Sequence, residues 1–230
     1  MERFKRLENL VGSCVFNELS NTTVLVLGVG GVGSFVVEAL ARSNVGKLII
    51  VDYDKVDITN INRQIMALDN TIGKYKTTVM KKRIELINKN CNVLEIKEFI
   101  DNDNIDSLFK DKIDYVVDAC DTVNTKKLII KECKKRGISI ISSMGTARKI
   151  DATKLEITDI SKTCNDPLAR IIRKYVKDEK IGKLTVLSSR ELPIKTENNK
   201  ELASCMFVPA TAGILIANYV VKDVIKKTLN

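Results

Sequence analysis

At 230 residues the chain suits one domain, with at most an appendage, and is long enough to bury a sizeable core. Its 44% hydrophobic and 29% charged content is ordinary for a globular protein, and the formal net charge of +9 favours a polyanionic partner, nucleic acid or an anionic surface. The absence of histidine excludes Ser-His-Asp and Cys-His nucleophilic catalysis, leaving carboxylates, Lys, Arg, Cys, hydroxyls, backbone amides and bound ions to do any chemistry.

A short amphipathic helix is expected over 7–19, before the apolar strand "TVLVLG". Strand-like and helix-like segments then alternate: helix 31–43, strand 47–52, helix 74–88, strand 92–99, short helix 103–109, strand 114–120, helix 124–136 and strand 138–143. "KLIIVD" is apolar without interruption, the pattern of a parallel strand buried on both faces. The alternation predicts an α/β fold, a Rossmann-like, doubly wound and mainly parallel sheet over 1–145. After Met144-Gly145 the pattern changes into an extension, 146–230, expected to pack on the same domain. "LEITDI" (155–160) alternates like a strand of another kind, and "KLTVLSS" (183–189) is a further strand. Between them Asp166 and Pro167 open a helix as N-cap and first helical residue. Its apolar face carries Leu168, Ile171, Ile172, Tyr175 and Val176; its opposite face carries Arg170, Arg173, Lys174 and Lys177. The segment 190–202 is a polar loop, and a last helix begins near Pro209. The apolar run 206–221 is shorter than the about 20 residues of a membrane span and is read as a buried helix.

Six cysteines, at 14, 91, 120, 133, 164 and 205, include no C-x-x-C pair, so no structural zinc site is encoded. The charged N-terminus "MERFKRLENL" does not resemble a signal peptide, which points to reduced thiols and a cytoplasmic location.

The turn "GVGGVG", residues 28–33, follows an apolar strand and precedes a helix. There a glycine-rich backbone can approach a pyrophosphate seated on a helix N-terminus. Asp52 closes the second strand, where an acid accepts ribose hydroxyls. NAD and ATP fit equally well so far. Downstream, Asn60, Arg63 and Gln64 in "NINRQ" and Lys76 in "GKYK" bring cations that suit a departing pyrophosphate. "VVDACDT" ends the next strand with Asp118 and Asp121, and a carboxylate there beside phosphates is a natural Mg²⁺ ligand. Each alone reads as a surface charge; with the glycines they form a constellation.

That constellation, "GVGGVGS…VDYDKVDITNINRQ…GKYK…DACDT", resembles the ubiquitin-activating-enzyme-like adenylyltransferase superfamily. The resemblance implies ATP and Mg²⁺, with a substrate carboxylate attacking the α-phosphate to give an acyl-adenylate. It implies nucleotide contacts at Gly28, Gly30, Gly31, Gly33, Asp52, Asp54, Asn60, Arg63, Gln64 and Lys76. Arg63 and Lys76 would face the triphosphate and Asp121 would organise Mg²⁺. It further implies a homodimer in which an N-terminal arginine, best matched by Arg6 with Arg3 as rival, reaches the partner's site.

Relatives in thiamine and molybdopterin biosynthesis carry two C-x-x-C zinc pairs, which this chain lacks. Its second half, with "DPLAR" and "FVPATAG", instead resembles the tRNA threonylcarbamoyladenosine dehydratase family. That implies tRNA as substrate, bound through Arg170, Arg173, Lys174 and Lys177, and adenylation of the threonyl carboxylate before ring closure. An intramolecular closure, with effective molarities of about 10⁵ M or more, needs no dedicated nucleophile. Asp118 or Asp121 could serve as base, and a thioester through Cys120 is a rival route. A second basic cluster comprises Lys126, Lys127, Lys131, Lys134, Lys135 and Arg136. The alternative substrate is the C-terminus of a small sulfur-carrier protein, and the resemblance leaves room for a sulfur-relay protein as partner. A nucleotide sensor without turnover or an NAD dehydrogenase would leave "NINRQ" without a purpose.

Overall fold

The alternating segments build a seven-stranded sheet in the computed structural model, which describes residues 2–195 and 203–230. Two helices, α1 (Lys5–Val11) and α2 (Ser13–Asn21), lead in, and the single helix expected over 7–19 is divided at Gly12, whose φ is +83°. There follow β1 (Thr23–Leu27), α3 (Gly33–Arg42), β2 (Lys47–Val51), α4 (Lys76–Ile87) and β3 (Asn92–Ile96). The chain continues through β4 (Tyr115–Asp118), α5 (Val123–Arg136), β5 (Ser139–Ser143), β6 (Leu155–Asp159), α6 (Pro167–Asp178), β7 (Thr185–Ser189) and α7 (Phe207–Leu229). The short helix expected over 103–109 is a 3-10 helix, Ile105–Phe109.

The strands lie in the order β3-β2-β1-β4-β5-β7-β6. All pairs are parallel except β6 with β7, in register Leu155↔Ser189 to Asp159↔Thr185. The changed pattern of "LEITDI" is thus that of an antiparallel edge strand, half-buried at every position. Alternate residues of the central strands feed opposite cores. Val24, Val26, Leu48 and Ile50 pack with α3 and α7; Leu25, Leu27, Ile49 and Val51 pack with α5 and the 100–113 segment. This two-sided burial explains the uninterrupted apolar runs. A third core joins α6 to α5 and β7 through Ile172, Val176, Ile130 and Val186.

Among the described residues α7 is the helix long and apolar enough to cross a membrane. Its residues Val208, Ala212, Ile216, Val220 and Val224, four apart, form a buried stripe, the last four of them in the main core. Gly213 lets it approach closely: a methyl group there would stand 2.4 Å from Val32 O and 2.7 Å from Phe35 Cβ.

The chain leaves β1 towards β2 on one side, and β4 leads to β5 on the other. The β1/β4 boundary is therefore the switch point at which a doubly wound sheet opens a crevice along the carboxyl ends of its strands. Strands expected to run to 99 and 120 stop at Ile96 and Asp118 because the following residues turn out of the sheet to line that crevice.

Candidate functional site

The crevice is a cleft of about 790 Å³. Gly28, Gly30, Gly31, Asp52, Asp54, Asn60, Arg63, Gln64, Lys76 and Asp121 all line it. Gly33 does not: it opens α3, and a methyl group there would sit 1.8 Å from Gly28 O, so its role is to let the turn close on the helix. The Asp52 carboxylate accepts from Val29 N at 2.7 Å and Asp54 N at 2.9 Å, fixing the glycine turn to the end of β2. Burial pushes its carboxyl above the ordinary range, while the Lys76 charge and both backbone donors pull it down. Lys76, with its side chain 7% exposed, places Nζ 2.6 Å from Asp54 Oδ2 and so joins the start of α4 to the β2 loop.

Between them the "NINRQ" segment is a tight turn. Thr59 N donates to Asp57 Oδ1 and Asp57 N to Asn60 Oδ1, a reciprocal capping box that occupies the Asn60 carbonyl. Arg63 Nη1 donates to Thr59 O at 2.8 Å and Asn62 Oδ1 at 2.9 Å, which holds the guanidinium at the cleft wall. Gln64 is buried beside Gly30, its Oε1 without a partner among the described residues.

At the end of β4 the two aspartates differ. Asp121 is exposed at the cleft. Asp118 is wholly buried: it meets Lys126 Nζ at 2.7 Å and accepts from Ser142 Oγ at 2.5 Å and Cys120 N at 3.3 Å. Those partners remove Asp118 as a candidate base. Lys126, expected in a surface cluster, is also 0% exposed and donates further to Ser142 Oγ and Ser143 O. Other members of that cluster are engaged in ion pairs, Lys131 with Glu179, Lys135 with Glu132, and Arg136 with Glu132 and Asp106. Burial and the neighbouring Asp118 charge push the Cys120 thiol far up, so it is held as a thiol.

The opposite wall is marked by sequence motif only at "DPLAR", the start of α6. It comprises Gly145 to Lys149 and the first turn of α6. Asp166 caps α6 as expected, accepting from Leu168 N and Ala169 N, but its other oxygen accepts from Gly145 N at 2.7 Å and ties α6 to the end of β5. Lys149, 2% exposed, donates to Gly145 O at 2.9 Å and stands 3.9 Å from Asp166 Oδ2. Burial lowers its amine, and the Asp166 charge opposes that shift. Ile171, on the apolar face of α6, is exposed and lines the cleft.

On the outer face of α6, Arg170, Lys174 and Lys177 are exposed. Arg173 departs from the expected free cation: it is half-buried and donates to Thr163 O at 2.6 Å and Thr163 Oγ1 at 2.8 Å. At the N-terminus Arg3 donates to Leu86 O and Ile87 O, closing the last turn of α4, whereas Arg6 is exposed and outside the cleft of its own chain.

Residues 4–230 match the ThiF family. The tRNA threonylcarbamoyladenosine dehydratase of Bacillus subtilis is 44% identical over 98% of this chain and 96% of its own. Crystal structures of the Escherichia coli tRNA N6-threonylcarbamoyladenosine dehydratase superpose with TM-scores of 0.93 in complex with AMP and 0.92 in complex with ATP. Both are 31% identical, and each alignment covers 99% of this chain and 96% of the other. The chain belongs to the ThiF family, in its branch of tRNA threonylcarbamoyladenosine dehydratases.

Proposed function

We propose that the chain uses ATP to dehydrate threonylcarbamoyladenosine in tRNA to its cyclic form. The carrying observation is that the glycine turn and the Gly145–Lys149 wall share one cleft, so a nucleotide and an acceptor can meet inside it. ATP lies with its phosphates over residues 28–33 and the N-terminus of α3, its ribose at Asp52, and Arg63 and Lys76 beside the triphosphate. The threonyl carboxylate attacks the α-phosphorus, the bond to the β-phosphate breaks, and pyrophosphate leaves against those cations. The base's own carbamoyl group then attacks the acyl carbon, releases an N–H proton to solvent and expels AMP, which carries away the carboxylate oxygen. The base loses the elements of one water and no protein nucleophile is needed.

Asp121 fits Mg²⁺: a single exposed carboxylate beside a phosphate site is the donor set that this ion takes, with phosphate oxygens and water completing its shell. Bound there, the ion would neutralise phosphate charge. The same reading divides the work at residue 145, the core holding the nucleotide and the extension presenting the tRNA. Exposed Arg170, Lys174 and Lys177, on the helix whose first turn lines the cleft, would contact tRNA phosphates. A homodimer with Arg6 entering the partner's cleft accords with Arg3 being engaged at α4. A cytoplasmic location suits both substrates, ATP and tRNA. The test is to incubate the chain with ATP, Mg²⁺ and bulk bacterial tRNA and to weigh the digested nucleosides. ATP-dependent loss of one water from threonylcarbamoyladenosine is expected. An unchanged mass, with pyrophosphate exchange driven by the C-terminus of a carrier protein, would discard the tRNA substrate.

A further inference from the structure

Four non-glycine residues hold a left-handed backbone among the described residues: Asn44, Arg148, Asn165 and Lys180. Asparagine visits this region readily, and Lys180 sits just past the end of α6, where such a conformation closes a helix. Arg148, at φ +57°, has neither explanation. Its neighbours hold it there: Arg148 N donates to Ala203 O at 2.8 Å, and Ile194 N donates to Arg148 O at 2.7 Å. Both flanks of the connection from β7 to α7 thus fix this one residue on the cleft wall. A backbone so over-determined at a site is where function is to be sought.

Its side chain differs from the other cations of the cleft. Lys76 is committed to Asp54, Lys149 to Gly145 O, and Arg63 to Thr59 O and Asn62. The half-buried Arg148 lines the same cleft, and its guanidinium has no hydrogen bond or ion pair to any described residue. It follows β5, across β4 from the strand ends that carry the glycine turn and Asp52.

We propose that Arg148 holds the threonyl carboxylate of the tRNA base before adenylation, an assignment that rests on the dehydratase reading. A guanidinium is a planar fork that grips a carboxylate through two parallel N–H···O bonds. The grip is strongest on the anion. When one carboxylate oxygen bonds to the α-phosphorus and pyrophosphate departs with the broken bond's electron pair, the acyl group becomes a neutral mixed anhydride. The hold then weakens as the acyl carbon must turn towards the carbamoyl group.

The test measures binding of two forms of one tRNA, with and without the threonylcarbamoyl group, by the full chain saturated with α,β-methylene-ATP to block turnover. Arg148→Gly suits the left-handed backbone, so its thermal midpoint should equal or exceed that of the unaltered chain. The unaltered chain should prefer the modified tRNA. Arg148→Gly should lose about 10- to 100-fold affinity for it, the range expected for charged hydrogen bonds, and none for the unmodified form. Arg148→Lys should recover part of the preference. Equal weakening of both tRNAs, which marks a backbone-phosphate contact, would overturn the assignment. So would a preference that survives in Arg148→Gly, or an unaltered chain with no preference to lose. Ring closure by the unaltered protein, followed by mass, separates these outcomes: its failure removes the dehydratase reading itself.

Discussion

The glycine-turn end of the cleft comes mostly from one stretch of chain, residues 28–76, with residues 119–123 beside it, whereas the opposite wall is gathered from Gly145–Lys149, the start of α6, and Pro193 and Ser204. At the first end, polar groups hang from loops that follow β1 and β2, and hydrogen bonds within and between those loops and the start of α4 fix them: Asp52 to Val29, Asp54 to Lys76, Asp57 to Asn60. At the second, the fixing contacts include ones that reach farther along the chain. Asp166 reaches back to Gly145 N, and Arg148 is tied to Ile194 and Ala203. The first end is thus built from neighbouring loops of the sheet, and the second from the extension folded back against it.

Two lysines carry this contrast to the largest expected effect. Lys126 and Asp118 are both 0% exposed, so Lys126→Met would strand a buried carboxylate and should cost about 3–5 kcal/mol of stability, read as a lower denaturant midpoint. Lys76→Met should do the reverse. Its partner Asp54 is 46% exposed and can rehydrate, so the stability loss should stay within about 1 kcal/mol. ATP-pyrophosphate exchange, however, should fall by about 10²–10³ through loss of a cation beside the leaving group. If Lys76→Met unfolds the chain and Lys126→Met only slows it, the division between scaffold and site is wrong.

Lys126 also marks where the sequence misleads. Its lysine neighbours suggest a basic surface, yet it shares a helical face with Ile129, Ile130 and Cys133, all buried. That spacing is a readable sign that the side chain turns inward; its partners on β4 and β5 are not readable, because they depend on sheet order. The glycine turn, Asp52 and the Asp166-Pro167 helix start are legible since each rests on backbone rules spanning a few residues. The break at Gly12, the second use of Asp166 and the constraint on Arg148 are not, for each is decided by chain far away or by a single backbone angle.

A smaller effect should distinguish the cations of α6. Replacing Arg170, Lys174 and Lys177 with Ala should weaken tRNA binding and flatten its log-log salt dependence by about 0.9 for each phosphate no longer neutralised. ATP binding should be unaffected. Arg173→Ala should leave the salt slope alone and instead cost about 1–2 kcal/mol, because it strips the donors from the buried Thr163. A salt slope that responds to Arg173 as strongly as to its neighbours would return it to the tRNA surface.

The smallest effect is expected at Cys120, and its smallness is informative. The thiol lines the cleft between the scaffold carboxylate Asp118 and the site carboxylate Asp121, which is where a thioester route would want a nucleophile. Burial and the Asp118 charge raise its pKa far above the ordinary 9.0, so the reactive thiolate is absent at neutral pH. Cys120→Ser keeps a donor to Asp118 and should retain turnover within about 3-fold, the scatter expected of a near-isosteric change beside a site. The raised pKa also has a stability signature. Between the ordinary 9.0 and the higher native value, the unfolded chain releases a proton that the folded chain keeps, so stability falls as pH rises. Cys120→Ser should remove that share of the alkaline decline while leaving the neutral pH-rate profile in place. Abolished ring closure with pyrophosphate exchange retained would instead place a covalent step on Cys120, and the cleft would need a nucleophile after all.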